Sequence, residues 1–505
     1  MGKLFDFLPK VQRSLTEIKI MDAATKANLE KKVSEELKLL NFPKSAWTMP
    51  HFTQCGEPIL DALIIGAGMA GLSIAFGLMC QGITRICVVD RHSQDKVGSW
   101  NTFARMPELR TPKLLTSIDL GIASLTFQAW FKAIYGEDAW ANLEKISRDD
   151  WVNYLSWYKN ILKIPVEYET SVEMIDWSAQ DVCLVVTLSG AKKRLYARTL
   201  VLATGYDGSG EWNCPKIISE SLTPDRYALA YGDILVHQLQ GKRVGVIGGG
   251  ASAYDHAILA ASNGSTQVSI FHRRSKMPTY DPFAWASFPG FLQHFADLPD
   301  RLRWKFIQEF QHAGQFPSAE TFKIASQYSQ ITTHFSSPII AVRSTEDSVV
   351  IETPVAQHEL DFLIIAAGVQ IELSKRKELG NIHSKIALWK DRYSYEEAGE
   401  ISHLENYPYL GSHFEFTEKQ AGQAPWLSRI FNFTFGSTLS MGVSGGSIQG
   451  IIYGVPQLIR GITRHLFIED KDLYYTSLLQ RDVLPTTHPH AKTTLGFRSS
   501  TSFRS

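Results

Sequence analysis

Two glycine-rich segments, Gly66-Ala67-Gly68-Met69-Ala70-Gly71 and Gly248-Gly249-Gly250-Ala251-Ser252-Ala253, each follow an apolar run and open a helix-like stretch. In this pattern the first glycine makes a tight turn. The second lets the backbone approach a pyrophosphate, and the third position, Gly71 or Ala253, lets helix and strand pack closely. The helix N-terminus then offers N–H groups and the positive end of its dipole to the phosphates. The spacing therefore predicts two dinucleotide sites in one chain.

The residues that follow each motif assign different ligands. After the first, the strand-like run Ile86-Cys87-Val88-Val89 ends in Asp90, 19 residues beyond Gly71, with Arg91 next to it. A carboxylate there accepts hydrogen bonds from an unphosphorylated ribose, which suits FAD or NAD. After the second, Val268-Ser269-Ile270-Phe271 leads into His272-Arg273-Arg274, and Arg273 lies 20 residues beyond Ala253. Two guanidiniums in place of a carboxylate favour a ribose carrying a 2′-phosphate, hence NADPH.

Elements able to position these motifs can be read along the chain. Residues 1–58 form an extension with helical character, in which Val33, Leu37 and Leu40 share a spacing and Asn41-Phe42-Pro43 ends the run. Residues 59–214 read as the first part of one nucleotide domain. Residues 215–360 read as a second such domain carrying a helical insertion at 279–330, either a lid or a packing element. Residues 361–505 complete the first domain and end in a polar tail. Residues 165–205 and 338–368 both read as short alternating strands closing on a small-residue turn, Ala203-Thr204-Gly205 and Ala366-Ala367-Gly368. This internal repeat predicts an α/β protein with two Rossmann-like domains, the second inserted in the first, each with a β-meander. In the aromatic stretch 100–158, Trp151, Tyr154, Leu155 and Tyr158 fall on one helical face and read as core. The segment Tyr280-Asp281-Pro282-Phe283 reads as a turn.

Bulk properties narrow the function. The 505 residues carry equal numbers of basic and acidic side chains and 44% apolar residues, which describes a globular protein without a surface for nucleic acid or anionic membranes. The apolar run Leu60–Cys80 is long enough to span a bilayer, but it contains the first glycine motif and reads as strand, turn and helix. No integral membrane segment is expected. Met1-Gly2-Lys3-Leu4-Phe5-Asp6 lacks the Ser or Thr of a myristoylation signal. The five cysteines have no C-x-x-C spacing, so neither a metal site nor a redox disulfide is indicated, and a reducing, cytoplasmic setting is expected.

The order and spacing of Gly66-x-Gly68-x-x-Gly71, Gly98-Ser99-Trp100, Ala203-Thr204-Gly205 and Gly248-x-Gly250-x-x-Ala253 resemble the class B FAD- and NADPH-dependent flavoprotein monooxygenases. That group takes in flavin-containing monooxygenases, Baeyer–Villiger monooxygenases and N-hydroxylases, and the likeness runs from about residue 59 to about residue 465. It implies FAD at the first site and Trp100 beside the flavin. It also implies a C4a-(hydro)peroxyflavin that passes one oxygen atom from O2 to a small organic substrate. Thr111-Pro112 stands where Baeyer–Villiger enzymes carry an Asp, and residues 206–242, whose only histidine is His237, lack their F-x-G-x-x-x-H-x-x-x-W string. The resemblance is thus to an atypical branch.

The expected cofactor contacts are Gly66, Gly68, Met69, Ala70, Gly71, Asp90, Arg91, Trp100, Thr204 and Gly205 for FAD. For NADPH they are Gly248, Gly250, Ala251, Ser252, Ala253, Arg273 and Arg274. Gly368 and the late turn at Gly445 are added as further cofactor contacts. Trp285, Phe288, Tyr407 and Tyr409 are candidates for facing substrate, and no catalytic acid or base is named. The cysteine spacing argues against a disulfide reductase. An NADPH oxidase or reductase without oxygen transfer, and a non-catalytic FAD-binding sensor, remain as alternatives.

Overall fold

The computed structural model describes residues 23–190, 193–277, 280–394 and 402–480. The start of the N-terminal extension, with Gly2 and Asp6, and the polar tail from residue 481 lie outside the described residues.

The first glycine motif joins the strand Pro58–Ile65 to the helix Met69–Cys80. This strand is the middle of a mostly parallel sheet. Ile86–Val89 and then Val166–Glu167 lie on one side, and the long strand Arg194–Gly205 lies on the other. The N-terminal part of Arg194–Gly205 pairs antiparallel with the hairpin Val172–Ser178/Cys183–Leu188. Its C-terminal part pairs parallel with Ile430–Thr434, so the chain returns to this sheet after more than two hundred residues elsewhere. The last long helix, Ile451–Glu469, then packs on Met69–Cys80. A Cβ on Gly77 would meet the Ile459 side chain at 2.2 Å, so the absent side chain sets how closely the two helices pack.

The second glycine motif repeats the arrangement. Arg243–Ile247 is the central strand of a five-stranded parallel sheet in the order Ile331–His334, Gln267–Phe271, Arg243–Ile247, Phe362–Ile365, Tyr227–Leu229. Its meander, Ala341–Ser344, Val349–Glu352 and Gln357–Leu360, forms a separate antiparallel sheet. The division at residue 360 cuts this unit, because Phe362–Ile365 hydrogen-bonds to Arg243–Ile247. The chain crosses between the two units on a two-stranded ribbon, Gly210–Trp212 against Val369–Ile371.

The duplication is visible at atomic scale. Gly66 has φ +106°, and a Cβ there would lie 2.5 Å from the Ala203 carbonyl oxygen. Gly248 has φ +145°, and a Cβ there would lie 2.4 Å from the Ala366 carbonyl oxygen. In each unit the turn glycine presses on the backbone where the return strand ends, a conformation and a gap that admit no side chain.

Helix Ala23–Leu39 buries Leu29, Val33 and Leu37 against the helix Phe127–Tyr135 and leaves Leu40 exposed. Trp151, Tyr154 and Tyr158 are fully buried, and Leu155 packs beside them. Leu60–Cys80 is strand and helix, and no helix among the described residues is long and apolar enough to cross a membrane. Tyr280–Phe283 differs from its expected turn. The Asp281 carboxylate accepts from the Phe283 and Ala284 N–H groups, and Pro282 occupies the first position of the short helix Pro282–Trp285. An N-cap aspartate followed by proline is a helix start. The helices Pro289–His294, Asp300–Ala313 and Ala319–Ala325 complete the insertion.

Candidate active-site cleft

A cleft of about 1710 Å³ runs between the two sheets. It exceeds the roughly 300–1,000 Å³ of a pocket for one drug-sized ligand. Gly66, Gly68, Met69, Ala70, Asp90, Arg91, Trp100, Thr204 and Gly205 line one part of it. Gly248, Gly250, Ala251, Ser252, Arg273, Arg274, Gly368 and Gly445 line the rest. Gly71 and Ala253 stand behind the lining. A Cβ on Gly71 would lie 1.8 Å from the Gly66 carbonyl oxygen, and Ala253 is fully buried, so both act by letting helix and strand pack closely.

The first part of the cleft fits FAD. A Cβ on Gly68 would have only the Gly98 Cα, 3.9 Å away, for a neighbour, so the glycine keeps open a groove before the N-terminus of Met69–Cys80. No side chain caps that helix. Asp90 Oδ2 accepts from the Ala67 N–H at 2.8 Å and Oδ1 from the His92 N–H at 2.9 Å, which locks the carboxylate at the strand end. Thr204 Oγ1 is buried without a hydrogen-bond partner, as expected of a group whose partner is a bound ligand. Arg91 is paired with Asp207, at the edge of the cleft.

The second part is already partly engaged. A Cβ on Gly249 would strike the His272 ring at 2.5 Å, so the turn rests directly on this histidine. Burial, with help from Arg274, pushes the His272 pKa down to about 4, so the ring is neutral beside the two arginines. Arg274 donates to the carbonyl oxygens of Ala313 and, at 3.4 Å, Gln311. It therefore holds the C-terminal end of the insertion helix Asp300–Ala313. The Ala251 N–H, at the start of the second motif's helix, donates to the Gln315 carbonyl at 2.9 Å.

Between the two parts, Arg110 Nη2 donates to Asp255 Oδ2 at 2.5 Å and joins the segment after Trp100 to the helix Ala251–Ser262. Burial raises the Asp255 pKa, and the Arg110 charge opposes the shift. Tyr206 stacks on Phe435 with ring centres 4.4 Å apart. Burial pushes the Tyr206 hydroxyl up to about 12, and Arg110 acts the other way. Gln311 Nε2 donates to the hydroxyl of buried Tyr407 at 3.2 Å. Phe283, Ile307, Phe310 and Val443 supply an apolar wall.

The four aromatics expected to face substrate do not line the cleft. Trp285 and Phe288 are 53% and 44% exposed, on the outside of the insertion. Tyr407 is buried behind Gln311, and Tyr409 donates to Asp300. Helical spacing cannot distinguish the inner from the outer face of an insertion whose packing partners, Trp389 and Leu439, come from the distant closing segment. Asp255 is not among the expected site residues, although a carboxylate one turn into a dinucleotide-motif helix is a signal, whereas Gln311 carries none.

The pyridine nucleotide-disulphide oxidoreductase family matches residues 63–287. None of the five cysteines, all unpaired, lines the cleft. Over 457 residues the chain is 35% identical to the FAD-dependent urate hydroxylase of Xanthomonas campestris, covering 90% of this chain and 96% of that one. It is 24% identical to the FAD-containing monooxygenase EthA of Mycolicibacterium smegmatis over 51% of each chain. The ornithine hydroxylase of Pseudomonas aeruginosa shares the fold at a TM-score of 0.62 and 18% identity, over 81% of this chain and all of that one. The cadaverine monooxygenase of Erwinia amylovora does so at 0.61 and 14%, over 80% and 95%. The relatives and the shared fold place the chain among the class B FAD-dependent monooxygenases. Within that class the chain belongs to the family of the Xanthomonas FAD-dependent urate hydroxylase.

Proposed function

We propose that the protein hydroxylates urate, or a closely related oxopurine, with one oxygen atom from O2 at the expense of NADPH. The observation that carries this reading is the near full-length relationship to a urate hydroxylase. The cleft supports it with chemistry suited to a flat, electron-rich ring that alternates carbonyl acceptors and N–H donors. Gln311 offers an amide, Arg110 a guanidinium, and Phe283 and Phe310 apolar surfaces.

FAD bound here would supply the redox chemistry, carrying two electrons from NADPH to O2 so that one oxygen atom goes to the substrate and the other to water. The chain binds and orients. The turn at Gly66 and the helix start at Met69 hold the flavin dinucleotide, Asp90 its ribose, and Thr204 and Trp100 the region toward the ring. Arg273 and Arg274 select the 2′-phosphate of NADPH. Phe283, Ile307, Phe310 and Val443 exclude water where the substrate meets the flavin. Residues 59–214 and the closing segment form the FAD unit, and the sheet around Arg243–Ile247 forms the NADPH unit. Unpaired cysteines fit a cytoplasmic enzyme.

Steady-state NADPH oxidation by the yellow holoenzyme tests the substrate. Urate is expected to accelerate it and be consumed one for one with NADPH. NADPH consumption that yields hydrogen peroxide and leaves urate untouched, with no acceleration, would assign the protein to oxidase-type turnover.

A further inference from the structure

The second dinucleotide site holds carbonyl groups of its own chain where phosphates bind in such sites. The N-terminus of Ala251–Ser262 is the phosphate-facing end of the second motif. Its first N–H, on Ala251, is occupied by the Gln315 carbonyl at 2.9 Å. The same oxygen lies 3.2 Å from where a Cβ on Gly250 would stand, so it fills the space that glycine keeps free for close approach. Arg274, one of the two cations expected to meet the 2′-phosphate, donates to Ala313 and Gln311 carbonyls from the same stretch. Two separate phosphate-recognition groups are thus satisfied by one short segment.

We propose that residues 311–316 are a strap that stands in for the phosphates of NADPH and is displaced when NADPH binds. A phosphate carries full negative charge and forms stronger bonds to a guanidinium and a helix start than a neutral carbonyl does. The exchange is therefore downhill, yet it subtracts the strap's own contacts from the binding energy. Besides these carbonyl bonds the strap is held by buried Ala313, the Gln311 amide and one aromatic ring. Phe316 packs on Phe322 with ring centres 5.5 Å apart, and Gly314 ends the helix Asp300–Ala313.

Its displacement reaches the middle of the cleft. Gln311 belongs to the last turn of that helix, and its side chain holds the Tyr407 hydroxyl. Releasing the carbonyl of Gln311 from Arg274 frees the turn that carries this amide. Arrival of NADPH at one end of the cleft is in this way linked to the residue that faces substrate. The inference rests on the NADPH site and not on the identity of the substrate.

The test uses the oxidised FAD holoenzyme and NADP+, with affinity and hydrogen exchange as readouts. Phe316→Ala removes the strap's ring contact and is expected to tighten NADP+ binding about threefold or more. Unchanged or weaker binding, in a variant that melts like the parent, would overturn the proposal. Independently of any variant, saturating NADP+ is expected to raise amide exchange in the peptide covering 311–316 while the start of Ala251–Ser262 stays protected. Slower exchange in 311–316 would mean that the segment closes over the cofactor and is not displaced by it.

Discussion

Arg110 and Asp255 meet at 2.5 Å across the cleft, one on the segment that follows Trp100, the other one turn into the helix of the second glycine motif. Asp255 is 7% exposed, whereas the Arg110 side chain retains 22%. The pair ties the segment after Trp100 to the helix of the second glycine motif, across the cleft that both line. Asp255→Ala leaves Arg110 without its partner in a mostly dry place. The expected loss is about 2 kcal/mol of stability, below the fully buried range because Arg110 keeps contact with water. Thermal melting of the holoenzyme measures it.

The same pair has a pH signature with a definite sign. Burial raises the Asp255 pKa in the folded protein. On acidification the native state therefore takes up this proton before the unfolded chain does, and this group's contribution to stability rises as pH falls toward the ordinary aspartate range. Asp255→Asn lacks that contribution. Its melting midpoint is expected to fall more steeply with acidification than that of the parent, and parallel curves would show that Asp255 titrates normally.

Gly66 and Gly68 separate folding from cofactor binding. Gly66→Ala forces a Cβ to 2.5 Å from the Ala203 oxygen and is expected to abolish soluble folded protein. Gly68→Ala meets no protein atom closer than 3.9 Å, so the fold survives. The methyl group narrows the groove in which the proposed function places the FAD pyrophosphate, and FAD affinity is expected to fall about tenfold or more. Circular dichroism paired with flavin absorbance distinguishes the two outcomes.

Arginines 273 and 274 line the cleft, and the proposed function assigns them the choice of coenzyme. The double substitution to Ala removes charge-assisted contacts with a 2′-phosphate, each worth about 1.5–3 kcal/mol. NADPH is expected to weaken by about tenfold or more while NADH changes little, in stopped-flow reduction of the flavin. Equal losses for both coenzymes would remove these residues from the phosphate site.

Much of this architecture was legible because glycine motifs, alternating strands and the residue that ends a strand are local in sequence. Gly66, Asp90 and Gly248 report their own surroundings. Arg274 shows the limit. Its type and place predicted a phosphate ligand, but its two carbonyl partners lie some forty residues away in an insertion that breaks the Rossmann pattern. Gln311 shows another limit, since an amide on a helix is unremarkable until folding brings it against Tyr407. The four aromatics chosen as substrate contacts failed for the same reason, because the inner face of an insertion is set by what it packs on.

The most deeply buried cation at the end of the closing helix is shared among three carboxylates. Arg198, with 2% side-chain exposure, pairs with Asp61 at the start of the first sheet and with Glu469 and Asp470 at the end of Ile451–Glu469. Arg198→Met leaves Asp61 with Arg85, Glu469 with Arg429 and Asp470 with His51, so the expected loss is about 2 kcal/mol, below the roughly 3–5 kcal/mol of a buried charge left with no partner. Flavin release on heating should move to lower temperature together with unfolding.

Turnover under oxygen-18 gas tests the central claim most directly. The holoenzyme is supplied with NADPH and urate, and the product is analysed by mass spectrometry. The account predicts one labelled oxygen in the hydroxylated product for each NADPH consumed. Product oxygen derived from solvent, or unlabelled urate recovered beside labelled hydrogen peroxide, would contradict it.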